Sequence, residues 1–114
     1  MQLIESDMYE NISPQVFDMV VANLPYIPSQ RPLFVAKSEP LTALYSGTDG
    51  LDHYRVMFAS LGDYISRYTK VFCEIDDVHQ ETFSQMVLGY FPDAHVEILK
   101  DLAGKVRFAT VVFR

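Results

Sequence analysis

Asn23-Leu24-Pro25-Tyr26 is the stretch of this 114-residue chain whose residue types and spacing could do chemistry. The Asn23 side chain offers a carbonyl oxygen as an acceptor. Leu24 precedes a proline, which pushes it into extended geometry and fixes where its own backbone carbonyl points. Tyr26 adds a flat aromatic face beside those acceptors. Two acceptors and an aromatic wall suit a planar amide or amine nitrogen, gripped by its N–H groups and stacked on its plane. The plainer reading of the same residues is a proline-stiffened turn, with Asn23 as a local cap and Tyr26 as a lid.

The other reactive side chains offer less. Cys73 is the sole cysteine, so no internal disulfide forms, and with His53, His79 and His95 it gives no metal-ligand spacing. Cys73 lies mid-strand and reads as a small buried hydrophobe. The three histidines read as surface or capping residues. Glu74 ends a strand on the side where ligands bind, a modest candidate. Arg31 and Arg55 read as solvated, or as partners of Glu39.

The elements that must position the loop follow from hydrophobic pattern. Phe17 to Ala22 has the near-continuous apolar character of a strand buried on both faces. Pro25 and Pro28 then forbid helix and central strand alike, so the loop sits at a strand's carboxyl end. Upstream, Leu3-Ile4 reads as the tail of another strand. Residues 29–50, with Pro32, Pro40, Gly47 and Gly50, read as a long loop. Leu51, Tyr54, Met57, Phe58, Leu61 and Ile65 predict a helix within 51–68, capped by Asp49 or Asp52. Lys70 to Ile75 predicts a second strand. Phe83, Met86, Val87 and Tyr90 predict a second helix, stopped near Gly89 and Pro92. His95–Leu99 and Val106–Phe113 predict an antiparallel hairpin turning at 101–105. The order is α/β: a mostly parallel sheet ending in an antiparallel C-terminal hairpin. In such open sheets ligands bind outside the carboxyl ends of the strands, where Asn23 lies.

Composition bounds the function. Apolar residues at 49% and charged residues at 21% are ordinary globular usage. A chain of this length buries about two thirds of its surface, enough for a single domain over 1–114. Nine Lys+Arg against fifteen Asp+Glu give a net charge of −6 and no basic cluster. That argues against a general nucleic-acid or anionic-membrane binder. No basic n-region precedes an apolar segment, and no apolar run approaches the roughly 20 residues that cross a bilayer. These features predict a soluble, cytoplasmic protein.

The strand and loop Phe17-Asp18-Met19-Val20-Val21-Ala22-Asn23-Leu24-Pro25-Tyr26-Ile27-Pro28 resemble the signature of class I amino-methyltransferases, usually Asn-Pro-Pro-Tyr. Glu39-Pro40-Leu41-Thr42-Ala43-Leu44, Asp49-Gly50-Leu51-Asp52 and Tyr54-Arg55 resemble one subfamily, the HemK-like glutamine methyltransferases of peptide chain release factors. Asp101-Leu102-Ala103-Gly104 with Arg107 is similar to that subfamily's terminal hairpin. The resemblance implies S-adenosylmethionine as methyl donor and a release-factor glutamine as acceptor. It assigns the amide nitrogen to Asn23 and the Leu24 carbonyl, with Tyr26 packed against it and Pro25 stiffening the loop. Asn23 also borders the methyl donor. Asp7 and Met8, in Ser6-Asp7-Met8-Tyr9, match the family's turn beside the adenine.

Three departures qualify the match. Leu24 stands where the family has proline. Glu74-Ile75-Asp76-Asp77 lacks the family's glycine after Glu-Ile, and Gln80 is one position late. The five glycines include no Gly-x-Gly pair, so the cofactor cradle of the first two strands is absent from this sequence. The expected fold is therefore an incomplete Rossmann-like methyltransferase sheet, the C-terminal portion of a catalytic domain. In the family's strand order, 3-2-1-4-5-7-6, Phe17–Ala22 then becomes a bare sheet edge, which predicts a homodimer or pairing with an upstream half. The alternatives are a non-catalytic split module acting through protein association, or an amino-methyltransferase with another acceptor, such as adenine. The acidic balance and the Glu-Pro…Asp-Gly-Leu block argue against adenine.

Overall fold

The computed structural model describes residues 2–24 and 50–114. Four strands form one sheet: β1 (Met19–Ala22), β2 (Lys70–Glu74), β3 (His95–Lys100) and β4 (Val106–Val112), in the order β1-β2-β4-β3. β1 pairs parallel with β2, while β4 is antiparallel to both β2 and β3. Three strands thus run one way and β4 runs against them. This is the 4-5-7-6 half of the order expected from the resemblance.

Helix α1 (Asp52–Ser60) follows β1 in the chain and α2 (Gln80–Tyr90) follows β2. Their apolar stripes meet the sheet: Tyr54, Phe58, Leu61, Val71, Ile75, Phe83, Val87, Ala109 and Val111 are essentially sealed from solvent. Phe83 is the hub of the helix layer, edge-on to Tyr54 at 5.6 Å and to Phe58 at 5.9 Å. Edge-to-face pairs of this kind add to what area burial alone provides.

Several expectations are corrected. Leu3-Ile4 is not in a strand; Leu3 is 88% exposed, and no described strand lies beside it to share a ladder. The strand at 17–22 starts at Met19 and is not buried on both faces, since Met19 and Val21 are 57% and 71% exposed at the sheet edge. The first helix stops at Ser60 and tightens into a 3₁₀ turn, Leu61–Tyr64. Ile65 is already extended, at φ −129°, because the chain must reverse there to enter β2. Leu51 occupies the N-cap position of α1 and makes no side-chain cap hydrogen bond, and Asp52 lies in the first turn, paired with Arg55 at 2.9 Å. The long loop, including Asp49 and Glu39, lies outside the described residues.

The hairpin forms as expected, with one irregularity. Lys100 pairs with Val106 while Leu99 pairs with Phe108, leaving Arg107 as a bulge. Its turn is closed by Asp101, whose carboxylate accepts from the backbone N–H of Ala103 (2.9 Å) and Lys105 (3.0 Å) and from Arg107 Nε (3.2 Å). Gly104 takes φ +83°, a left-handed conformation that glycine adopts without strain.

Candidate functional site

Asn23 is the first residue beyond the carboxyl end of β1. Ala22 is buried at 7% exposure, Asn23 is exposed, and Leu24 is half-buried against the core. The chain therefore presents the Asn23 amide to solvent between two anchored neighbours. Pro25 and Tyr26 lie outside the described residues.

Beneath this rim the Tyr54 hydroxyl lies 2.6 Å from the Glu74 carbonyl oxygen and 3.2 Å from that of Ala22. Its single proton is shared between two acceptors, with the shorter contact to Glu74. It bridges the last carbonyls of β1 and β2, in a ring position with no solvent exposure. The helical spacing marks Tyr54 as a core residue and says nothing of this bond. The one signal is a hydroxyl tip on an otherwise apolar stripe, since buried tyrosine hydroxyls usually find a partner.

Asp7 and Met8 occupy a separate turn, closed by Glu10 N–H donating to the Asp7 carbonyl at 3.1 Å. Asn11 braces it, donating its backbone N–H to Ser6 Oγ and its side-chain amide to the Glu5 carbonyl, both at 2.8 Å. Asp7 is exposed. Met8, at φ +53°, is half-buried and turned onto the core. The segment runs back along the first helix: Tyr64 Oη donates to the Ile12 carbonyl at 2.7 Å, and Tyr9 Oη to that of Met57 at 3.0 Å. It thus heads toward the end of α1 that carries Tyr54. Among the described residues no hydrogen bond joins Asp7 or Met8 to Asn23.

The remaining candidates take structural places. Cys73 is buried, and desolvation pushes its thiol up to about 12, far from a reactive thiolate. His79 is buried at 1%, and its Nδ1 accepts from the Asp76 N–H at 3.2 Å while Asp76 caps Val78. That reciprocal box gives the Asp76-Asp77 turn a role in starting α2. Among the described residues no cluster of His, Cys, Asp or Glu could hold a metal ion, and no helix is long and apolar enough to cross a membrane.

A depression lined by Glu5, Ser6, Asp7 and Asn11 opens on the outer side of the Asp7 turn. Its oxygen-rich wall accepts N–H and O–H groups. Met8 is turned inward, with part of its side chain left exposed beside this turn.

These parts define the class: a Rossmann-like methyltransferase sheet. Two solved structures share it. One is a ribosomal protein L11 methylase from Lactobacillus delbrueckii, with TM-score 0.59 and 13% identity over 96% of this chain and 42% of that one. The other is a release factor-specific protein-(glutamine-N5) methyltransferase from Alicyclobacillus acidocaldarius, with TM-score 0.56 and 24% identity over 87% and 50%. In sequence the chain is homologous to the release factor glutamine methyltransferase family, over a stretch corresponding to its C-terminal region. The Bacillus cereus member is 39% identical over 97 residues, 82% of this chain and 34% of the relative. The Streptococcus pneumoniae member is 33% identical over 113 residues, 96% and 40%. A bifunctional methyltransferase from Rickettsia felis is 33% identical over 112 residues, 93% and 21%. The chain thus spans between about a fifth and two fifths of the length of these relatives. No family profile matches it.

Proposed function

We propose that this chain is the acceptor-binding part of an S-adenosylmethionine-dependent methyltransferase whose acceptor is a glutamine side-chain amide of a peptide chain release factor. The observation that carries the reading is the exposed Asn23 standing directly beyond the buried carboxyl end of β1, in a sheet of the family's strand order. An amide nitrogen is a poor nucleophile because its lone pair is delocalised. Asn23 and the Leu24 carbonyl accept its N–H groups, which aims the lone pair; Pro25 stiffens the loop and Tyr26 packs on the amide plane. Catalysis by these residues is orientation. S-adenosylmethionine supplies the methyl group. Asp7 and Met8 flank its adenine, and Asn23 borders the methyl donor.

With no Gly-x-Gly among its glycines, the chain needs an upstream cradle to transfer methyl, and it works in the cytoplasm without binding nucleic acid or membrane. The exposed edge of β1 is where that upstream segment, or a second copy of the chain, pairs. The same edge supports a second reading, a non-catalytic module that associates through β1.

Two measurements separate these. Calorimetric titration of the chain alone with S-adenosylmethionine gives no binding if the cradle is missing; binding in the micromolar range, about −8 kcal/mol, would mean the site is complete. Joined to the upstream two thirds of the Bacillus cereus relative, the chain methylates a release factor, and Asn23→Ala lowers transfer about 100-fold with circular dichroism unchanged. Undiminished transfer by that variant sinks the role given to Asn23.

A further inference from the structure

We propose that Tyr54 is a positioning residue for Asn23, an inference that rests on the acceptor-site reading of that asparagine. Asn23 is bracketed on both sides. After it, Leu24 packs against the core. Before it, the Ala22 carbonyl lies 3.2 Å from the Tyr54 hydroxyl, which also holds the Glu74 carbonyl at 2.6 Å.

The Ala22 carbonyl belongs to the same peptide unit as the Asn23 N–H, so holding that oxygen fixes the plane from which the Asn23 side chain departs. The parallel ladder runs as far as Ala22 opposite Cys73, and one residue further along β2 the Glu74 carbonyl meets the Tyr54 hydroxyl. The hydroxyl therefore continues the strand pairing at the point where the loop leaves the sheet. Tyr54 itself cannot drift: its ring is sealed from solvent and stands edge-on to Phe83 at 89°. A carbonyl pair bridged by a tyrosine wedged in the core is a rigid mount. Orienting an acceptor to within a fraction of an ångström needs a mount of that kind.

Tyr54→Phe removes one oxygen and keeps the ring. In ¹⁵N relaxation measurements on this chain, the order parameters of Asn23 and Leu24 fall from about 0.85 to below about 0.6, while those of β2 and β4 stay rigid. In the unsubstituted chain the Tyr54 hydroxyl proton exchanges slowly and shows a contact to Ala22. Unchanged order parameters at Asn23 and Leu24, a loss spread evenly over β1, β2 and β4, or a rapidly exchanging hydroxyl would each overturn the proposal. Both readouts are independent of methyl transfer. Failure of the acceptor reading appears instead as full turnover by Asn23→Ala in the joined enzyme. Where that enzyme turns over, Tyr54→Phe lowers kcat about tenfold with the KM for S-adenosylmethionine unmoved.

Discussion

Tyr9 and Tyr64 stack with ring centroids 4.4 Å apart and planes 16° from parallel, fastening the N-terminal turn to the 3₁₀ turn after α1. The Tyr9 hydroxyl also donates to the Met57 carbonyl. Burial, and then the neighbouring Tyr64, push the Tyr9 phenol from its ordinary 10.0 up to about 12. Between those values the unfolded chain has released a proton that the folded chain keeps, so stability falls as pH rises. Below that window the contribution is complete. Cys73, raised from 9.0 to about 12 by burial, acts in the same direction and from a lower starting pH. Thermal midpoints followed by circular dichroism should hold to about pH 9 and then decline. Tyr9→Phe flattens the part above pH 10.0, and an unaltered slope in that variant would contradict the assignment.

Phe83 touches both Tyr54 and Phe58 and has no solvent exposure. Phe83→Ala opens a cavity under the helix layer and costs about 3–5 kcal/mol. Set against a typical total of about 5–15 kcal/mol, that leaves the chain marginal at best. Urea unfolding measures the loss; a midpoint within error of the parent would show that the layer repacks around the gap.

Val21 projects from the sheet edge with 71% exposure. A lysine there keeps the strand and places a charge where another strand must pair, the device by which natural edges resist association. Val21→Lys should leave unfolding within about 0.5 kcal/mol. If the chain pairs through β1 as proposed, sedimentation at micromolar concentration shows the parent associated and Val21→Lys as separate chains. A parent chain that is already monomeric and shows no affinity for the upstream segment removes the premise.

The Asp101 carboxyl is held below its ordinary 3.8, chiefly by the Lys105 N–H, with help from Arg107 and the Ala103 N–H. Its contribution is present above that ordinary value and disappears as pH falls through the depressed one. Asp101→Ala frees both backbone donors and the Arg107 contact, so the amides of Ala103 and Lys105 should lose hydrogen-exchange protection while β2 keeps its own. Equal protection in variant and parent would mean the Gly104 turn suffices by itself.

Much of the fold is legible because local pattern and tertiary need agree. Lys70–Ile75 carries the apolar run Val71-Phe72-Cys73 and forms a strand over Lys70–Glu74; Asp101 through Lys105 carries turn residues and turns. The failures share one cause. Apolar pattern tells which side chains a segment would bury, never whether a neighbour stands beside it. Phe17–Ala22 has the apolar pattern of a central strand, and its place at the edge is legible only from the strand order of the resemblance; Leu3-Ile4 has no described strand next to it. Ile65 extends the helical stripe by four from Leu61, yet its backbone has already left the helix. At the candidate site, Asn23 announces itself through its proline-rich context. Tyr54 does not, because its hydroxyl partners come from Ala22 and Glu74, 32 and 20 residues away.

The place of β4 between β2 and β3 has a consequence for how the chain comes into being. The strand synthesised last of the four is the one that both of its neighbours must wait for. As residues 70–100 emerge from the ribosome, β2 and β3 have no ladder joining them, and one backbone edge of β2 and the pairing edge of β3 stay open until residues 106–112 arrive. Assembly therefore ends with an insertion, a step dominated by long-range pairing and slow on that account. A stop codon in the hairpin turn would leave the β1-β2 pair with one edge open and β3 as an orphan strand for the quality-control machinery.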